Sequence, residues 1–154
     1  MYISVQDRLV QEITELMYYN IPCTYMRGGT SRALIFQKKD LPADKTLWPE
    51  FFMKALGVRM TAAGLSAMGV DFPTHKIAVI SPHEGDYADV DYDFFQTDDE
   101  NYYVDNRGNC GNMSSAVGQY AIDEGMVEAK EPETIVRIFN TNTKRIIRSR
   151  VLVK

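Results

Sequence analysis

The sequence predicts an α+β fold in which a curved, mostly antiparallel sheet wraps around one central helix at about residues 112–124. The first observation is an alternation of apolar and acidic residues that runs from Ala88 to Phe94 within the segment 88–95, which is typical of a half-buried strand. The second is a helical spacing of apolar residues after 112, ended by Gly125. The opposite face of that helix carries Ser114, Ser115 and Gly118 instead of charges. A helix that is apolar on one side and small on the other fits inside a sheet.

The other elements follow from similar patterns. An amphipathic helix is predicted over 4–18, and it packs either on its own domain or on a partner. We expect residues 1–19 to be a helical extension and 20–154 to form the domain itself. A second helix is predicted over 47–56, ended by Gly57. Apolar or alternating runs predict strands, and the last two of these form a hairpin: 23–26, 33–36, 77–80, 88–95, 102–104, 135–139 and 145–153.

Composition restricts the class of protein and of ligand. The chain has 154 residues, of which 45% are hydrophobic and 25% charged, as in a soluble globular domain. Its net charge is -4 and it has no run of Lys and Arg, so we expect no nucleic-acid partner. The sequence has no secretory signal and no apolar run long enough for a bilayer, which needs roughly 20 residues. With only two cysteines, we expect a cytoplasmic protein. Because no basic run is present, we expect its ligands to be small molecules.

The main candidate site is Cys110, which lies between glycines immediately before the central helix. Unpaired backbone amides in a first helical turn, together with the helix dipole, attract a carboxylate or phosphate. The same field favours the thiolate form of a neighbouring cysteine. We therefore expect an anion at the amides of Gly111, Asn112 and Met113, with Cys110 placed to move a proton. The alternative is a buried structural cysteine in a glycine turn.

Other segments give weaker signals. The turn of Arg27, Gly28, Gly29, Thr30 and Ser31 offers a guanidinium, two permissive glycines and two hydroxyls, although an exposed hairpin turn has the same composition. Lys76 opens an apolar strand, where a solvated lysine is common. The two histidines, His75 and His83, have no evident ligand partners, so we expect no metal site.

Four segments, in this order, resemble the methylaconitate isomerase (PrpF) family. They are IPCTYMRGGTSRALIF, THKIAVISP, VDNRGNCGNMSSAVGQYAIDEGMV and IVRIFNTNTKRI, and together they cover about residues 21–150. The resemblance implies half of a diaminopimelate-epimerase-like fold. It also implies reactions that move a double bond, or change its geometry, in small unsaturated di- and tricarboxylates without a metal, flavin or pyridoxal phosphate.

The resemblance further assigns roles to individual residues. Cys110 and Lys76 match the family's proposed catalytic pair. The turn from Arg27 to Ser31 and the segment from Asn109 to Met113 match segments that we expect to bind substrate. Three departures are visible: Arg32 stands where lysine is common, His75 replaces a serine, and the loop GLSAMGVDF is poor in glycine. The last departure leaves the choice of substrate open.

In that family the substrate lies between two similar halves, and this sequence corresponds to the amino-terminal half only. We therefore expect either a homo-oligomer or a missing second half to close the cleft. Two alternatives remain open at this point. One is a catalytically inactive fragment that folds, self-associates or binds a carboxylate, and the other is an amino-acid epimerase or racemase of the same fold.

Overall fold

The computed structural model of the protein describes residues 21–57, 75–98 and 101–154. The helix predicted over 4–18 and the loop GLSAMGVDF at 64–72 lie outside these ranges. The strands within them are β1 (Thr24–Gly28), β2 (Ser31–Gln37), β3 (Lys76–Pro82), β4 (Val90–Asp98), β5 (Tyr103–Asp105), β6 (Glu133–Asn140) and β7 (Arg145–Leu152). The α-helices are α1 (Trp48–Ala55) and α2 (Gly111–Asp123), and single 3-10 turns cover Lys38–Asp40 and Lys45–Leu47.

All seven strands belong to one mixed sheet with the order β1-β2-β3-β4-β6-β7, and β5 pairs with β4 at one end. Among these described pairings, β2–β3 and β4–β6 are parallel and the other four are antiparallel. The predicted curved and mostly antiparallel sheet is therefore confirmed, with two parallel crossovers. Strands β2 and β3 are parallel neighbours, so both begin at the same end of the sheet.

Helix α2 is the central element, as its sequence predicts. It starts one residue earlier than expected, and it is buried on its apolar face and at two of the three small residues of the opposite face, whereas Ser115 is exposed. Ser114 and Gly118 are both buried, and a Cβ atom on Gly118 would overlap the Ser149 side chain of β7. The missing side chain thus lets β7 approach the helix closely. The inner core consists of residues from the sheet and from α2: Ala33, Ile35, Ala78, Ile80, Val90, Tyr92, Phe94, Met113, Ala116, Val117, Tyr120, Ala121, Val136 and Ile138.

Helix α1 covers the opposite face of the sheet, where a second and more aromatic core forms. Its first turn contains Pro49, which is compatible with a helix start because proline lacks only an amide that has no helical partner there. Trp48 and Phe52 pack from α1 onto Phe36 of β2 and Phe95 of β4. The sheet therefore has an inner face that surrounds α2 and an outer face that α1 covers.

Candidate active site at the start of the central helix

Cys110 is the N-cap residue of α2. Its backbone is extended, with φ -108° and ψ 109°, and its side chain makes no capping hydrogen bond. The amide of Ser114 makes the first helical bond, donating to the Cys110 carbonyl at 2.9 Å. The amides of Gly111, Asn112 and Met113 precede that bond, so they have no acceptor within the helix. The start of α2 therefore presents three donors and the positive end of the helix dipole next to a partly buried thiol.

The glycine turn between β1 and β2 packs directly against this helix start. A Cβ atom on Gly28 would overlap the backbone carbonyl oxygen of Asn112, and one on Gly29 would overlap the Asn112 side chain. Gly29 also has φ +53°, a conformation that favours glycine. The Asn112 Nδ2 donates to the Thr30 hydroxyl at 2.9 Å. The two glycines thus permit a contact between segments about eighty residues apart in sequence.

The same turn brings a hydroxyl to the thiol. Ser31 is buried, and its Oγ lies 3.7 Å from Sγ of Cys110. Asn112 Nδ2 also approaches the Ser31 hydroxyl, at 3.5 Å. Arg27 precedes this turn on β1, is exposed, and donates from Nε to the Gly29 carbonyl at 2.8 Å. Met26, its neighbour on the strand, packs on the inner core, so strand alternation directs Arg27 to the other face.

Lys76 is the first residue of β3 and is only 4% exposed. Lys76 is therefore not the solvated lysine that is common at the end of a strand. Lys76 shares a strand face with Ala78 and Ile80, which belong to the inner core around α2. Burial lowers the pKa of the Lys76 ammonium, and a negative charge on Cys110 acts on it in the opposite direction. The two predicted catalytic residues are thus within electrostatic reach of each other.

Two further side chains hold the loop that carries Cys110. Ser114 donates from Oγ to the Cys110 carbonyl at 3.0 Å and to the Asn109 side-chain oxygen at 3.1 Å. Asn142 donates to the carbonyl of Asn106 at 2.6 Å and to that of Phe94 at 2.9 Å. Asn142 therefore ties the turn after β6 to β4 and to the residues that lead into Cys110.

Sequence reasoning identified the segment around Asn142 only as a hairpin turn and a family motif. The turn contains two asparagines and two threonines, whose side chains commonly bond to nearby backbone. Buried Asn140 does so locally, accepting from the Thr143 amide at 2.9 Å. The asparagines and threonines of this turn therefore indicated side-chain bonds to the backbone. They did not show that the hydrogen bonds of Asn142 reach the loop before Cys110.

The histidines have other partners. His83 pairs through Nδ1 with the Asp91 carboxylate at 2.6 Å, and its ring packs against Tyr87. His75 is buried, and its carbonyl accepts from the Thr97 amide at 3.0 Å. Within the described ranges, no three His, Cys, Asp or Glu side chains come close enough together to hold a metal ion. None of the helices in those ranges has the length and apolar character needed to cross a membrane.

Comparison with known proteins gives matches over the same part of the chain. The sequence model of the PrpF protein family matches residues 18–154. The 3-methylitaconate isomerase of Eubacterium barkeri is 42% identical over 134 residues, which are 87% of this chain and 35% of that protein. The 2-methyl-aconitate isomerase of Cupriavidus necator is 35% identical, over 88% of this chain and 37% of that protein.

Solved structures agree with the fold. The crystal structure of a methylitaconate-delta-isomerase superposes with a TM-score of 0.81 at 41% identity, covering 87% of this chain and 35% of that one. A hydroxyproline epimerase from Agrobacterium vitis superposes with a TM-score of 0.58 at 15% identity, covering 86% of this chain and 37% of that one, which shows a shared fold. The chain spans about a third of the length of the curated relatives it matches.

Proposed function

The chain belongs to the PrpF family, and we propose that it carries the proton-transfer groups of an isomerase for small unsaturated di- and tricarboxylates. The observation that carries the proposal is the meeting of three separate segments at the start of α2. Cys110 begins the helix, Ser31 of the glycine turn lies 3.7 Å from its sulfur, and buried Lys76 is in electrostatic reach. The relatives named for 3-methylitaconate and 2-methyl-aconitate support the substrate class.

The proposed chemistry uses the helix start as the carboxylate site. Removing a proton from carbon next to a carboxylate, or vinylogous to one, builds negative charge on the carboxylate oxygens. The amides of Gly111, Asn112 and Met113 point at such a group without any rearrangement. Fixed donors of this kind stabilise charge where it develops in the transition state. Asn109, Thr30 and Ser31 border the same position and are the proposed polar contacts to the substrate. Arg27 lies on the other face of β1, and we propose that it holds the glycine turn through its hydrogen bond to the Gly29 carbonyl.

Cys110 and Lys76 are the proposed acid and base. An isomerisation of this class takes a proton from one carbon and returns a proton to another, so each step is a proton transfer. Burial favours the neutral amine of Lys76, whereas a neighbouring thiolate favours its ammonium form, so the protonation states of the two groups depend on each other. When the pair shares one proton, it consists either of thiol and amine or of thiolate and ammonium, and each of these states contains one acid and one base. No cofactor is required by this scheme.

A complete site needs a second wall opposite α2. Since the matched part of this chain covers only 35–37% of the length of these relatives, we propose that further sequence of a longer protein, or a second copy, supplies that wall. We also propose a cytoplasmic location, on the basis of the two unpaired cysteines.

Hydrogen exchange tests the proposal. The chain is incubated in deuterium oxide with methylitaconate, methylaconitate and, as a saturated control, methylsuccinate, and deuterium incorporation and isomer formation are followed by NMR. We expect exchange with the unsaturated acids only. Cys110→Ala and Lys76→Met should each abolish it, whereas Cys23→Ala, at the other end of the fold, should leave it unchanged.

Two results would contradict the proposal. Near-normal exchange in Cys110→Ala would remove the thiol from the mechanism. Absence of exchange by the unaltered chain as a dimer, with carboxylate binding retained, would instead support the alternative of a catalytically inactive fragment.

A further inference from the structure

The side chain of Asn142, in the turn after β6, continues the pairing of β6 with β4 beyond the end of the strand. The backbone register of these two strands ends at the pair Tyr92 and Asn140. Two residues further on, the Asn142 side chain bonds to both backbone groups of Phe94. Its Oδ1 accepts from the Phe94 amide at 2.8 Å, and its Nδ2 donates to the Phe94 carbonyl at 2.9 Å. An amide side chain can replace a backbone peptide in this way because it carries the same donor and acceptor.

The same Nδ2 group holds the first residue of the loop that leads to Cys110. It donates to the Asn106 carbonyl at 2.6 Å, immediately after β5 ends. Residues 106–109 are exposed, and the far end of this loop is held by a bond from the Ser114 hydroxyl. The direction in which the loop leaves the sheet therefore depends on the bond from Asn142.

The register of the sheet relates this loop to Lys76. Lys76 of β3 and Asp105 of β5 lie opposite Gln96, on the two sides of β4. The strand that carries Lys76 and the strand that leads to Cys110 are thus in register at one row of the sheet. Asn142 bonds to β4 two residues from this row and to the loop one residue beyond it. It therefore connects the strands that hold the amine with the loop that holds the thiol.

The hydrogen bonds of Asn142 also fix the orientation of its side chain. Its two amide hydrogens are donated to the two carbonyls, and its oxygen accepts in addition from Asn140 Nδ2 at 3.1 Å. Rotation of the amide by 180° would bring donor onto donor and acceptor onto acceptor, so one orientation is strongly favoured. The Asp93 carboxylate, with an oxygen 3.3 Å from Nδ2, favours the same orientation.

We propose that Asn142 is a positioning residue that sets the spacing between the Cys110 thiol and the Lys76 amine. It acts through the backbone of β4 and of the loop, and its own atoms take no part in proton transfer. Without the Asn142 amide the loop keeps its two ends but loses the bond that fixes its direction. The inference rests on the proposed function, in which the thiol and the amine are the acid and the base.

A double-mutant cycle on the reactivity of Cys110 tests the inference without requiring turnover. All variants carry Cys23→Ser, so that Cys110 is the single cysteine, and the rate of alkylation by iodoacetamide is recorded between about pH 6 and 9. An ammonium close to a thiol favours the thiolate, so Lys76→Met should slow alkylation roughly tenfold at a fixed pH when Asn142 is present. In Asn142→Ala the same substitution should change the rate by less than about threefold, because the spacing is lost.

Two controls separate positioning from a general loss of stability. Thr143→Ala weakens the same turn by removing a bond to Asn140, and Asn101→Ala removes a side-chain amide that bonds within its own turn. Lys76→Met should keep its roughly tenfold effect in both of these backgrounds. The inference is wrong if Lys76→Met has the same effect, or none, with and without the Asn142 amide, or if the controls reduce that effect equally.

A measurement on the unaltered side chain covers the case in which Asn142→Ala does not fold. Both Nδ2 protons of Asn142 are donated to backbone carbonyls, so in the NMR spectrum both should exchange with deuterium oxide more slowly than those of exposed Asn101. Equally fast exchange of either proton would contradict the inference. The proposed function is contradicted by a different result, near-normal exchange of substrate hydrogen in Cys110→Ala, so the two failures are distinguishable.

Discussion

The two faces of the sheet are built on different principles. On the outer face α1 contributes large rings to an aromatic cluster, in which Phe52 lies 4.9 Å from Phe95 and 5.8 Å from Trp48 between ring centroids. The inner face surrounds α2 with mostly aliphatic and small residues, and it admits a glycine at the contact with β7. It also contains buried polar groups, among them Lys76 and the hydroxyl of Tyr92.

This difference shows where stability and chemistry reside. Burying apolar rings is favourable without any further requirement, so the aromatic cluster of the outer face contributes to stability. Burying an amine and a phenol is costly unless partners are supplied. The buried polar groups close to Cys110 are Ser31 of β2, Lys76 of β3 and Ser114 of α2. The sheet thus buries an amine close to the thiol where we propose proton transfer.

The largest loss of stability is expected from a substitution on the outer face. Phe52→Ala removes a fully buried ring at the centre of the aromatic cluster and should lower the free energy of unfolding by about 3–5 kcal/mol. Urea unfolding measures this change. Phe51→Ala removes a neighbouring, half-buried ring and should cost clearly less. Equal losses in the two variants would show that the cluster is not the main source of stability on this face.

A smaller effect should disturb the inner face at the glycine turn. Gly28→Ala brings a Cβ atom into the Asn112 carbonyl, so the turn must move away from α2, at a cost of about 1–3 kcal/mol. Because Ser31 belongs to the same turn, the alkylation rate of Cys110 should change as well. Gly108→Ala is the matched control, since a Cβ atom there meets nothing within 4 Å. A normal alkylation rate in Gly28→Ala would separate the turn from the thiol.

The smallest effect concerns an ion pair outside both cores. Asp89 accepts from the Arg137 amide and guanidinium, each at 2.6 Å, and the guanidinium hydrogen bond is the main cause that lowers the pKa of Asp89. Its stabilising contribution is therefore present above about pH 4 and is lost as the pH falls below that value. Asp89→Asn should cost about 1 kcal/mol at pH 7, because the pair is partly exposed.

Unfolding measured at pH 7 and at pH 3 checks the sign of this effect. The difference between Asp89→Asn and the unaltered chain should shrink at the lower pH. Glu84→Gln, at an exposed carboxyl outside the ion pair, serves as the control. A difference that grows on acidification would contradict the assignment.

Local sequence patterns predicted the helices and strands. The burial of Lys76 and the hydrogen bonds of Asn142 depend on tertiary contacts, which such patterns do not show. The spacing of Met113, Val117 and Tyr120 indicated α2, and its small opposite face indicated that it is surrounded. The position of Cys110 at the helix start followed from the adjacent glycines. By contrast, the burial of Lys76 depends on which side of β3 faces α2, which its apolar neighbours on both faces do not reveal. The hydrogen bonds of Asn142 join segments 36 and 48 residues apart, beyond the range of any local pattern.

Helix α2 also acts as a spacer between the two thiols of the chain. Cys23 lies just before β1, near Tyr120, and Thr24 donates to Glu124 at the far end of the helix. Thirteen helical residues separate that end from Cys110, a length of roughly 20 Å. A disulfide requires Cα atoms within about 7 Å, so these two cysteines cannot close a ring within one folded molecule. A disulfide that uses only Cys23 and Cys110 must therefore join different molecules, and covalent dimers of this chain on a non-reducing gel report encounters between copies.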